Sequence, residues 1–135
     1  MDHLVCAEPF VVQHRLLLIS MGVSFREEGR SIYDAVRHAW IIDPARANGR
    51  IVLAHDRGLV LGVFIPNRWM KATRDNFPAM ERSYENRWGF EGRDADQAIS
   101  AHYLRKRVPD EYRKKGARGP IKYADPPFMM LDTQK

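Results

Sequence analysis

The run RIVLAHDRGLVLGVFI, from Arg50 to Ile65, constrains the fold more than any other part of the chain. Two strand-like runs, Arg50 to His55 and Leu59 to Ile65, are separated only by Asp56, Arg57 and Gly58. The glycine can take the positive φ that a bulged hairpin turn requires. A β-sheet is therefore expected at the centre of the molecule, and the remaining segments are read by what they add to it.

Val11 to Ser20 is rich in Val, Leu and Ile and reads as a first strand, buried beyond Arg15. Ser31 suits a helix N-cap, and Ile32, Ala35, Val36 and Ala39 follow at helical spacing. Trp40 to Ile42 predicts a short buried strand, and Asp43-Pro44 the cap and first position of a helical turn closing near Gly49. Met70 to Asn86 is polar and irregular, a loop long enough to be either functional or mobile. Arg87 to Glu91 predicts a strand with Trp88 and Phe90 on one face. Asp94 and Gln97 are spaced as a capping box for a helix carrying Ala95, Ala98, Ile99 and Tyr103. Pro109 to Lys115 predicts a short helix and Ile121 to Tyr123 a last strand. The expectation is a small α+β domain: a mixed, strongly curved or closed β-barrel of about five or six strands with two main helices.

At 135 residues the chain has the length of one domain, and 44% hydrophobic residues suffice for a real core, so residues 1–135 read as a single unit. Its one cysteine, Cys6, excludes an internal disulfide and a thiolate zinc site and suits a reducing compartment, with the cytoplasm expected. No apolar stretch approaches the roughly 20 residues of a membrane span, and the N-terminus lacks the basic and apolar regions of a signal peptide.

Charge is distributed unevenly. Residues 1–103 carry 13 Lys/Arg and 13 Asp/Glu, whereas 104–135 carry 9 and 4, so the net +5 resides in the last quarter of the chain. Its basic segment, 104–123, supplies Arg105, Lys106, Arg107, Arg113, Lys114, Lys115, Arg118 and Lys122, with Tyr103, Tyr112 and Tyr123 interleaved. Phosphate contacts need cations along a path, and bases need flat faces on which to stack, so the pattern points to nucleic acid. The plain alternative is a solvated basic face. Among the tryptophans, Trp40 and Trp88 read mainly as core, with Trp88 a secondary candidate for stacking. Trp69, at a strand end beside the long loop, is the preferred ring for a base, and Arg68 and Arg87 each precede a Trp and are placed to reach phosphate. Stacking on such a ring contributes about 1–3 kcal/mol per base.

No catalytic residue is assigned. The chain has no G-x-S-x-G elbow, Walker loop or G-x-G-x-x-G turn, and its five histidines lack metal-site spacing, so neither a metal nor a cofactor is expected. The apolar C-terminal tail, 126–135, with Phe128 to Leu131 after Pro126-Pro127, is expected to pack back on the domain or to serve a homodimer contact.

Several phrases look familiar together: Tyr33-Asp34-Ala35-Val36-Arg37 before Trp40, GLVLGVFIPNRW, RWGFEG and KKGARGPIKY. Over Leu16 to Tyr123 the chain resembles a group of small bacterial and phage domains in which an R-W-x-F-x-G strand precedes a helix and an N-P-I-K-Y-like strand. That group is similar to the PUA-like superfamily, which includes the ASCH, EVE and YTH modules. The resemblance implies a small barrel whose relatives bind RNA or modified bases through an aromatic-lined pocket. Gly119 stands where the group has Asn, and the G-x-K-x-x-E-x-R phrase associated with ASCH domains is missing. The expected function is a non-enzymatic nucleic-acid-binding module, with RNA favoured over DNA, acting as monomer or homodimer. The rivals are a phage or defence-system factor that docks its basic face on an acidic protein partner or blocks a nucleic-acid channel, and a metal-dependent nuclease.

Overall fold

The structure is a computed structural model that describes residues 7–21, 31–37, 40–78, 80, 82–113 and 120–127. Alternating apolar residues put two covered faces on one sheet. Its strands are β1 (Leu16–Ser20), β2 (Ile51–Asp56), β3 (Leu59–Lys71), β4 (Trp88–Asp94) and β5 (Ile121–Ala124), in the order β4-β3-β2-β1-β5. Leu16 and Leu18 of β1 join Leu53 and Val63 in one core layer, while Leu17 and Ile19 join Val52, Ala54 and Phe64 in the other. Each such side chain taken fully out of water contributes about 1.5–3 kcal/mol, so a one-residue slip of any central strand would forfeit both layers.

β1 and β2 run parallel, joined by a crossover carrying the short helices α1 (Ile32–Val36) and α2 (Pro44–Ala47); the other pairings are antiparallel. The caps anticipated for both helices form. Asp34 N–H donates to Ser31 Oγ at 3.1 Å and Ala45 N–H to Asp43 Oδ1 at 3.0 Å. α1 seats closely on β3 because Gly62 has no side chain: a Cβ there would meet Phe64 at 2.7 Å and Ile32 at 2.8 Å. α3 (Gln97–Tyr103) covers the opposite face together with residues 8–14.

The hairpin is present but tighter than expected. Arg57 (φ 52°) and Gly58 (φ 91°) form the whole turn, both left-handed as a two-residue primed turn requires, and the bulge falls within the strands, between Ala54 and His55. The first strand begins at Leu16 rather than Val11. Residues 8–10 instead bond to the segment after α3, with Phe10 N–H donating to Arg107 O and Arg107 N–H to Glu8 O. The cap of α3 is Asp96, whose carboxylate accepts from Ile99 N–H at 3.0 Å. Asp94 is unavailable for that role because β4 continues through it, pairing it with Phe64. Gly92 permits that continuation, since a Cβ would lie 2.3 Å from Ile65 O.

The closed barrel is not found; the sheet is open. β4's outer edge is occupied by Tyr33, Arg37 and Trp40: Gly92 N–H donates to Tyr33 Oη, Phe90 N–H to Arg37 O, and Trp40 and Trp88 exchange two backbone bonds at 2.9 and 2.7 Å. This is also why α1 stops at Val36 and why Ile41, expected to be buried, is 64% exposed. β5, at the other edge, is four residues long and flanked by Pro120 and Pro126, which discourages further pairing. The long loop has a small core of its own, with Phe77 and Met80 packed on Ala72. No helix among the described residues is long and apolar enough to cross a membrane.

Candidate functional site

β3 extends from the hairpin turn to the long loop and thereby separates the residues singled out in the sequence. Trp69 lies ten residues along β3 from Leu59, about 30 Å at the rise of a strand. Arg105, Lys106, Arg107, Arg113 and Lys122 gather at the turn end. Arg68, Trp69, Arg87 and Trp88 occupy the far end. Lys114, Lys115, Arg118 and the tail's Phe128 to Leu131 lie outside the described residues.

At the turn end, the segment after α3 adds to the free edge of β3. Arg105 N–H donates to Val60 O at 2.9 Å, Val60 N–H to Lys106 O at 3.0 Å and Val108 N–H to Gly58 O at 2.7 Å. Arg105 has φ 66°, a left-handed conformation that turns the chain from α3 onto the sheet edge. The Arg113 guanidinium lies over Gly58, within 2.8–2.9 Å of where a Cβ would stand. Lys122 enters from β5, and its partner Leu18 lies on the same face as His55. His55 accepts from Gly58 N–H at its Nδ1, 3.3 Å, and is pushed down to about 4 by burial first and then by Arg113, with Lys122 adding to the effect and Asp56 opposing it. A neutral imidazole thus sits beneath a group of cations. Two of them are partly compensated: Arg57 lies 3.6 Å from Asp56, and Arg107 pairs with Asp110 at 2.9 Å.

The far end uses the same residue types differently. Trp69 packs on Phe90 at 5.1 Å within the core layer beneath α1, and its Nε1 is buried with no hydrogen-bond partner. Arg37 lies over Tyr33 at 4.9 Å and Phe77 at 5.3 Å, while Arg82 and Arg87 both lie over Tyr84. Arg68 sits 3.6 Å from Glu91. Trp88 is half-buried and bridged to Trp40. The tryptophans therefore do not form one cleft with the basic segment, because the hairpin strand carries them away from it.

Two further constellations were not read from the sequence. Arg50 is buried; it donates from Nε to Arg46 O and from Nη1 to Leu16 O and Ala124 O, and lies 2.9 Å from Asp125, tying α2, β1 and β5 together. Its position at a strand start gave no hint of this. The Tyr103 hydroxyl accepts from Gln13 N–H at 3.1 Å and lies 2.7 Å from His14 Nδ1, and His102 Nε2 is 2.8 Å from Val11 O. Burial raises the Tyr103 phenol and, with His102 nearby, lowers His14, so the pair favours a neutral hydrogen bond that holds the N-terminal segment on α3. Among the described residues no group of three or more His, Cys, Asp or Glu is placed to hold a metal ion. No protein-family model, curated protein or solved structure matches the chain.

Proposed function

We propose that the chain is a nucleic-acid-binding module whose turn end receives the phosphate backbone. Supporting this reading most directly is the gathering of Arg57, Arg105, Lys106, Arg113 and Lys122 around Gly58, fixed from four separate stretches of chain. Cations brought together in this way exert a field that attracts polyanions, and each phosphate they neutralise releases counterions. Single strands are the preferred substrate, RNA ahead of DNA, because these cations stand on a turn, strand edges and connecting segments rather than on a helix that could enter a duplex groove.

The test is to titrate defined RNA and DNA oligonucleotides with the protein at two salt concentrations, recording binding and cleavage together. Binding that weakens steeply with salt and leaves the strands intact is expected. Salt-insensitive binding overturns the proposal, and so does metal-dependent cleavage.

A further inference from the structure

β4 leaves β3 at the Phe64–Asp94 pair, and the segment after α3 does not reach β3 until Val60. Ala95 N–H still reaches Val63 O at 2.9 Å, and beyond it the edge at Leu61 and Gly62 borders a cavity of about 340 Å3, open at the sheet edge between the helix layers. Ile32 and Tyr33 of α1 wall one side and Leu104, at the end of α3, the other, with Leu61 between them. Asp94 and Ser100 supply the polar groups. The Ser100 hydroxyl donates its proton to Ala95 O at 3.1 Å, so it offers the slot only lone pairs, and the Asp94 carboxylate is the stronger acceptor there. Ligand pockets run from about 300 to 1,000 Å3, so this slot has room for one flat ring system and little more.

The location of the slot identifies what it would hold. Leu104 directly precedes Arg105, and the strand bordering the slot continues into Val60, to which Arg105 and Lys106 are bonded. We infer that the slot takes a guanine base from a single strand whose phosphates lie on the neighbouring cations, an inference that rests on the nucleic-acid reading above. Apolar walls suit the faces of a base. An ionised carboxylate only accepts, and it can take two parallel hydrogen bonds. Guanine alone among the common bases offers two adjacent donors, N1–H and the N2 amino group. Adenine and cytosine place a ring acceptor beside their amino group, which the carboxylate repels, and uracil offers one N–H between two carbonyls. The slot would thereby supply the base selectivity that Trp69, packed on Phe90, does not.

Fluorescence anisotropy with labelled oligouridylate about ten nucleotides long, and with the same strand carrying one central G, A or C, tests the inference. The G-bearing strand should bind about tenfold more tightly than the others. Asp94→Asn, on an exposed strand end, should remove that preference while leaving oligouridylate binding unchanged, and Leu104→Trp, which fills the slot, should do the same. Thermal melting checks that both variants fold. Oligouridylate binding without a preference for G in the wild type, or a preference that survives both substitutions, overturns the guanine site alone. Failure of every strand to bind overturns the nucleic-acid reading with it.

Discussion

The two ends of β3 both place arginines beside aromatic rings, yet they arrange them for opposite purposes. At the far end the guanidiniums lie over Tyr33, Phe77 and Tyr84, and the indole of Trp69 packs on Phe90, so the cations help to seal a hydrophobic layer. At the turn end main-chain bonds fix the segment that carries Arg105 and Lys106 against β3, while a buried neutral histidine lies below Arg113. The lesson is that an Arg–Trp doublet in a sequence says little about ligand contact until the strand that carries it has a direction and a face.

The comparison is most severely tested by Phe90→Ala. Phe90 is fully buried between Trp69, Phe64 and Tyr33, so truncation should cost about 3–5 kcal/mol in chemical denaturation. Because the loss belongs to the far end, nucleic-acid affinity of the fraction that remains folded should be unchanged. A variant of near-native stability would show that the far end is not a packed layer.

A smaller effect arises at the turn end from pH. His55 has a folded pKa of about 4 against an ordinary value of 6.5, so the unfolded chain takes up a proton first as the medium acidifies. Stability should be fully present above about pH 6.5 and decline as pH falls toward 4, by up to about 3 kcal/mol in all. Denaturation midpoints measured across that range should therefore slope, and His55→Asn should flatten the slope. A wild-type stability flat from neutrality to about pH 4 would mean that the imidazole is not held neutral there.

The least perturbing change is Arg105→Gly. It relieves a left-handed residue while deleting a cation, so stability should stay within about 1 kcal/mol of the wild type even as affinity declines. Equal loss of both would assign Arg105 a structural role instead.

Much of this architecture was legible in the sequence because it is local. The hairpin, the caps at Ser31 and Asp43, and the strands at β1, β4 and β5 follow from periodicity, turn chemistry and side-chain oxygens within a few residues. What escaped depends on contacts between distant segments. The parallel pairing of β1 with β2 is set by where a long crossover returns, and the open sheet by Tyr33, Arg37 and Trp40 lying along β4. The cap at Asp96 displaced Asp94 only because Gly92 lets the strand run on. For the site, the Lys and Arg cluster in the sequence contributes Arg105, Lys106, Arg107, Arg113 and Lys122, which lie at one end of the sheet. The tryptophans were joined to it by composition alone, and the slot at Leu61 and Asp94 has no motif, since it arises where two chain segments fail to meet.

The most direct test compares the salt dependence of single-strand binding in two triple variants. One neutralises the turn end (Arg105→Gln, Lys106→Gln, Arg113→Gln) and the other disarms the far end (Arg68→Gln, Trp69→Phe, Arg87→Gln). The turn-end variant should lose about two units from the slope of log affinity against log salt, at roughly 0.7 per phosphate contact, while the far-end variant keeps the wild-type slope. A far-end variant that loses the slope while the turn-end variant keeps it would contradict the account.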